Sequence, residues 1–167
     1  MTLLKAYNDT TNIYSKSAYN KLDFHIQDSV TLSYLISNTN QTVFDIGSGS
    51  GLPAIPIAIM NSRNRVYAIE SKSRKTNFLE QVKNELELTN LTIVNSNVFE
   101  WIPPCKANII TAKAFSAYQK LVKIRSALNQ KKATIFIPIS AQQNEIYSKD
   151  INVTVINKDP FFYLNIA

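Results

Sequence analysis

Residues 43–53 read Val43-Phe44-Asp45-Ile46-Gly47-Ser48-Gly49-Ser50-Gly51-Leu52-Pro53, and they hold all three glycines of the 167-residue chain. Glycine normally makes up about 7% of a sequence, so its confinement to one short loop reflects a local demand on the backbone. That demand is for positive φ or for close approach to a ligand. An apolar strand-like run precedes the loop, and an apolar helix-like run, Leu52 to Met60, follows it. Strand, glycine loop and helix start together predict a site for a nucleotide-like ligand.

The loop spacing is Gly-x-Gly-x-Gly. A dinucleotide fingerprint needs Gly-x-Gly-x-x-Gly, and its third glycine would fall on Leu52. Leu52-Pro53 crowds the helix start where a pyrophosphate would sit, and Asp45 places a carboxylate just ahead of the loop. Both features disfavour a pyrophosphate. They suit a ligand that carries an ammonium group and no phosphate, as S-adenosylmethionine does. Glu70 follows the apolar run Val66–Ile69, about 20 residues past the loop, where a carboxylate can accept both ribose hydroxyls of a nucleoside. Asp45, Gly47, Gly49, Gly51 and Glu70 are therefore the expected cofactor contacts.

Strand-like and helix-like segments alternate from residue 24 onward. The patterns predict helices over Phe24–Ile36, Leu52–Met60, Lys72–Leu88, Ala117–Leu128 and Ala141–Lys149. In the first, Ile26, Val30, Tyr34 and Leu35 fall near one face; in the third, Phe78, Leu79, Val82 and Leu86 do. Strands are expected over Thr42–Ile46, Arg65–Ile69, Leu91–Val94, Ala107–Thr111, Ala133–Pro138, Val153–Ile156 and Phe161–Ile166. Such alternation predicts an open α/β sheet, largely parallel, with helices on both faces and an antiparallel pair at the terminal edge. With no repeat or Pro/Gly linker, residues 23–167 read as one domain, preceded by an arm or short helix over 1–22.

Composition narrows the function classes. At 45% hydrophobic residues the chain can build a core, and no run approaches the roughly 20 apolar residues of a membrane helix. The N-terminus lacks a basic end followed by an apolar core, so no signal peptide and a cytoplasmic location are expected. One cysteine and one histidine exclude an internal disulfide and argue against a metal site. The formal net charge of +6 favours a polyanionic partner, nucleic acid above all, although an Asn-, Ile- and Lys-rich composition also follows from a biased genome. A monomer is expected.

The stretch Asp45-Ile46-Gly47-Ser48-Gly49-Ser50-Gly51-Leu52-Pro53-Ala54-Ile55-Pro56 resembles the signature of the bacterial 16S ribosomal RNA guanine-N7 methyltransferases, the glucose-inhibited division protein B family. Three further stretches are similar in order and spacing: His25-Ile26-Gln27-Asp28-Ser29, Ser73-Arg74-Lys75-Thr76-Asn77-Phe78-Leu79 and Ala112-Lys113-Ala114-Phe115-Ser116. The resemblance spans about residues 14 to 140. It implies a Rossmann-like class I methyltransferase fold with a seven-stranded sheet, S-adenosylmethionine as cofactor, and 16S rRNA or the small ribosomal subunit as partner. It places Gly47 and Leu52 against the cofactor, the backbone of Val98 and Phe99 beside the adenine, and Lys113 where the family has a cofactor-side arginine. Phe99 stands where the family usually has glutamate. The family's Lys-Gly after the fifth strand is replaced here by Phe136-Ile137-Pro138-Ile139.

Nitrogen 7 of guanine already carries an in-plane lone pair, so methylating it requires no deprotonation. No catalytic acid–base pair is expected; orientation carries the chemistry. His25 and Asp28, three apart on a helix, could form a catalytic pair or a substrate contact; a local hydrogen bond or cap is the favoured reading. Lys72, Arg74 and Lys75 beside Glu70 are candidate RNA phosphate contacts, as are Lys113, Lys120, Lys123 and Arg125; a solvated helix face is the competing reading. Trp101 is read as an aromatic anchoring its turn to the core. Two rival functions remain at this point. One is a non-catalytic relative that binds cofactor or RNA without turnover. The other is an NAD-dependent oxidoreductase, which the glycine spacing and Asp45 disfavour.

Overall fold

In the computed structural model, residues 13, 14, 20–113 and 117–167 are described. The arm expected over 1–22 lies mostly outside them, as do Ala114, Phe115 and Ser116. β1 (Thr42–Ile46) is buried at all five positions, as a strand flanked on both edges and covered on both faces must be. Around it run β2 (Arg65–Glu70), β3 (Leu91–Asn95), β4 (Ile109–Thr111), β5 (Thr134–Ile139), β6 (Thr154–Lys158) and β7 (Phe161–Ile166). They form one seven-stranded sheet in the order β3-β2-β1-β4-β5-β7-β6. The first five strands pair in parallel, whereas β7 pairs antiparallel with both β5 and β6. The mostly parallel sheet with an antiparallel edge is the one the sequence pattern predicts.

Residues alternate between faces along each strand. Val43, Val66, Ala68 and Ile109 face one core with Leu32, Ala54, Ile57, Phe78 and Leu79. These come from α1 (Leu22–Leu35), α2 (Ala54–Met60) and α3 (Ser73–Glu85). Phe44, Ile46, Ile69, Ile110 and Ile135 face the other core, under α4 (Tyr118–Ala127) and beside α5 (Ala141–Tyr147). α5 is held at its start by a reciprocal Ser140–Gln143 capping box. Trp101 packs on Phe44 with ring centroids 4.8 Å apart, which anchors its turn as expected. Among the described residues no helix is long and apolar enough to cross a membrane.

Three local readings need correction. α2 begins at Ala54, not Leu52, with Pro53 at its N-cap, because Gly51 at φ +89° is still turning the chain. α3 ends at Glu85, because Glu87 adopts φ 51° and breaks the helical ladder; Leu86 is 49% exposed. In α1 the expected apolar face is not the buried one: Tyr34 is 72% exposed, while Asp28, Ser29, Leu32 and Ser33 are buried. The serines return their hydroxyls to the helix, Ser29 to the His25 carbonyl at 2.8 Å and Ser33 to that of Val30 at 2.6 Å. Small side chains satisfied in this way let a helix pack closely while carrying no hydrophobic signal.

Candidate functional site

β1 has β2 on one side and β4 on the other, and the helices after β1 and β4 leave on opposite faces. The crevice beyond the carboxyl ends of these strands is where open α/β sheets bind ligands. The glycine loop fills it. Gly47, Gly49 and Gly51 adopt φ of +72°, +58° and +89°, a region that costs other residues strain. The loop is pinned from below: the Gly47 and Ser48 N–H groups both donate to the Ile69 carbonyl, at 2.8 and 3.1 Å. A side chain on Gly51 would run into Ile55 and come within 2.9 Å of Leu79 Cδ2, whereas one on Gly47 would meet nothing within 4 Å. Gly51 is therefore a packing glycine, and Gly47 is the one that opens onto free space.

Two cavities meet at Gly47. The smaller, about 140 Å³, is bordered by Glu70, Ser71, Asn97, Val98, Phe99 and Lys120. Glu70 is buried and accepts from Gly49 N at 3.1 Å through Oε2 and from Lys72 N at 2.9 Å through Oε1. A carboxylate offers about four lone-pair sites; the Ser71 hydroxyl takes a third, donating to Oε1 at 3.5 Å. Oε2 therefore keeps one for a further donor, and the long Ser71 contact is the one a stronger donor would displace. Lys75 Nζ stands 4.0 Å from Oε2. Phe99, which borders the same cavity, is 61% exposed.

The larger cavity, about 350 Å³, runs from Gly47, Gly49, Leu52 and Lys75 to Lys113, His25 and Tyr14. Lys113 Nζ donates to Asp28 Oδ2 at 2.7 Å, to the His25 carbonyl at 2.9 Å and to Ser29 Oγ at 3.4 Å. These three acceptors match its three N–H groups, so the ammonium is fully engaged by α1. Burial pulls its pKa down, and the adjacent Asp28 holds it up. Tyr163 fixes the same turn, its hydroxyl donating to the Asp28 carbonyl at 2.8 Å. The local His25–Asp28 bond expected from the sequence is thus replaced by a long-range pair. His25 Nδ1 is buried without a partner, and burial together with Lys113 holds the imidazole below its ordinary pKa.

Asp45 lies behind the loop and borders neither cavity. It is fully buried and on the α1–α2 face, since it alternates with Phe44 and shares the face of Val43. Thr111 Oγ1 donates to its Oδ1 at 2.9 Å, while Oδ2 has no hydrogen-bond partner. Ser48 Oγ donates to the Asp45 backbone carbonyl at 3.0 Å. Burial pushes the carboxyl up to about 6, against the pull of nearby donors, the Thr111 hydroxyl among them. A buried carboxylate short of hydrogen-bond donors is costly to fold.

Of the residues singled out from sequence, Gly47, Gly49, Leu52, Lys75 and Lys113 border the larger cavity, and Gly47, Glu70, Val98 and Phe99 the smaller. Gly51 and Asp45 support the loop from behind. Lys72 and Arg74 are exposed and border neither cavity. Arg125 is a structural residue, donating to the Ala133 carbonyl at 3.0 Å. Asp28, Thr111 and the inward-facing His25 carbonyl carry the site without a spacing signal in the sequence. Among the described residues no group of three or more His, Cys, Asp or Glu could hold a metal ion.

Comparison with known proteins identifies the fold and the family. The structure resembles a SAM dependent methyltransferase from Aquifex aeolicus, with TM-score 0.62 and 19% identity over 92% of this chain and 100% of that one. It also resembles precorrin-6y C5,15-methyltransferase from Geobacter metallireducens, with TM-score 0.61 and 16% identity over 84% and 86%. The fold is accordingly a Rossmann-like methyltransferase fold. The ribosomal RNA small subunit methyltransferase G of Pseudomonas entomophila is 38% identical over 115 residues, covering 69% of this chain and 52% of that protein. The same-named protein of Shewanella frigidimarina is 33% identical over 141 residues, covering 84% and 66%. The chain thus spans about half the length of the first curated relatives it matches. The family model described as rRNA small subunit methyltransferase G matches residues 1–165, and the chain belongs to that family.

Proposed function

We propose that the protein is an S-adenosylmethionine-dependent methyltransferase that acts, as a cytoplasmic monomer, on nitrogen 7 of a guanine in 16S rRNA. The observation that carries this is the pair of cavities joined at Gly47. One is bordered by a buried carboxylate with an unfilled acceptor site on Oε2 and the other by the glycine loop, in a chain of the rRNA small subunit methyltransferase G family. Glu70 would receive the ribose hydroxyls, Val98 and Phe99 would border the adenine, and Gly47, Gly49 and Leu52 would line the path of the amino-acid end. The buried Asp45 supplies negative charge beneath that path, which suits a cationic ligand. When bound, S-adenosylmethionine supplies an electrophilic methyl group on a sulfonium.

The described residues at the two cavities serve holding and orientation in this reading. That is what an acceptor with a ready lone pair requires: aligning the reactants accounts for several kcal/mol of barrier lowering. Lys72, Arg74 and Lys75, at the start of α3 next to Glu70 in the chain, would hold RNA phosphates and contribute a salt-dependent, sequence-independent part of the affinity.

The test is transfer of labelled methyl groups to 16S rRNA, as naked RNA and as small subunits from cells lacking the modification, followed by mapping of the label. Incorporation at nitrogen 7 of one guanine is expected. Saturable binding of NAD without binding of S-adenosylhomocysteine would overturn the assignment in favour of a dehydrogenase. A second reading, cofactor binding without turnover, is favoured by one observation: Lys113 spends all its donors on α1. It predicts S-adenosylhomocysteine binding with no incorporation into either RNA.

A further inference from the structure

The larger cavity has two unlike walls. The loop wall offers Gly49, Ser50 and the Lys75 ammonium. The α1 wall offers His25, joined there by Tyr14 from ahead of the helix; the two ring centroids lie 6.3 Å apart and their planes 67° apart. Asp28 and the His25 carbonyl, which could have met a ligand's ammonium, are both engaged by Lys113. The α1 wall is thus poorly matched to a zwitterionic amino-acid tail. Ring surfaces with one hydrogen-bonding edge are what a planar heterocycle needs.

The imidazole is held firmly. Its ring meets Phe24 edge-on at 5.8 Å as well as Tyr14, and its backbone carbonyl is tied to Lys113. Nδ1 is buried and faces no acceptor. Only Nε2 is therefore open to a ligand, and with the ring proton on that nitrogen it donates. In this tautomer the accessible edge of His25 is a donor.

We propose that the α1 wall is the acceptor-base subsite and that His25 is a specificity-determining residue, its Nε2–H donating to O6 of the guanine. This rests on the methyltransferase reading above. Guanine presents N7 and O6 side by side as acceptors, whereas adenine presents N7 beside an amino donor. A donor aimed at O6 therefore leaves N7 free, aligns it, and rejects adenine. Methylation at N7 places positive charge on the purine. A neutral imidazole and a Lys113 compensated by Asp28 add no uncompensated cation there. Asp28 and Lys113 are positioning residues, acting through the His25 turn.

The experiment compares the wild-type chain with His25→Phe, which keeps a ring but loses the donor, and His25→Gln, which keeps an amide donor. Methyl transfer to unmodified small-subunit RNA and affinity for S-adenosylhomocysteine are both measured, with thermal unfolding as the folding control. His25→Phe is expected to lose about tenfold in kcat/KM for RNA, His25→Gln to recover part of that loss, and both to bind S-adenosylhomocysteine within about twofold of wild type. A tenfold loss of S-adenosylhomocysteine affinity in either folded variant would overturn the subsite by assigning His25 to the cofactor. Unchanged RNA turnover in His25→Phe would overturn it too, with the methyltransferase reading left standing. No transfer by the wild-type chain to either RNA form would remove both together.

Discussion

The two sides of the site are built in opposite ways. On the Glu70 side a carboxylate is held by backbone N–H groups of Gly49 and Lys72, 21 and 2 residues away in the chain. On the α1 side an ammonium and a carboxylate 85 residues apart are buried against each other, with side chains 16% and 9% exposed. The first is a local arrangement of loop and strand end whose charge keeps lone pairs in reserve. The second is a closed pair with no capacity left over. A site can thus take one ligand part with unspent acceptors while using spent charges only to hold a wall in place.

Breaking the closed pair should have the largest effect. Asp28→Asn leaves the Lys113 charge buried and uncompensated, a loss of about 3 kcal/mol in unfolding free energy. Denaturant unfolding checks it, and the double variant with Lys113→Met should recover most of the loss. If the single variant costs under about 1 kcal/mol, the two sides do not differ in kind.

Next is Asp45→Asn, whose sign is reversed. The folded carboxyl sits at about 6 against an ordinary 3.8. The stability it contributes when protonated is therefore present below about pH 4 and lost as pH rises through 6. Two pKa units correspond to about 3 kcal/mol, so Asn should stabilise the unliganded protein by about 2–3 kcal/mol at pH 8 and by almost nothing at pH 4. Thermal unfolding across that range would show the gap opening. His25 acts oppositely: its lowered folded pKa makes stability fall as pH drops below about 6.5.

Glycine replacements sharpen the comparison within the loop. Gly51→Ala collides with Ile55 and Leu79 at a positive φ and should cost about 2–3 kcal/mol in unfolding. Gly47→Ala, with nothing within 4 Å, should cost only the conformational part, about 1 kcal/mol, while weakening ligand binding. Lys75→Ala should have the smallest effect, under about 0.5 kcal/mol, because its 4.0 Å pair with Glu70 is loose.

The same contrast explains what could be read from the sequence. The Glu70 side was legible because its parts sit at fixed offsets: strand, glycine loop, then a carboxylate at the next strand end. The sheet was legible for the same reason, each strand being a short apolar run between helices. Asp28 was visible as a helical neighbour of His25 and as part of a resembling motif, but not as the partner of Lys113, because the two lie 85 residues apart and no local spacing encodes that distance. The face of α1 was misread because its buried positions are Asp28, Ser29 and Ser33, which carry no hydrophobic period. Gly51 resembled a ligand glycine, although its neighbours show that packing demands it.

Calorimetric titration of S-adenosylhomocysteine into the wild-type chain and into Glu70→Ala, both verified as folded by thermal unfolding, tests the central claim most directly. One saturable site in the wild type, weakened at least tenfold in the variant, is the result expected of a carboxylate that receives two hydroxyls. Absence of saturable binding in the wild type, or equal affinity in the two proteins, would contradict the assignment of this site to an adenosyl cofactor.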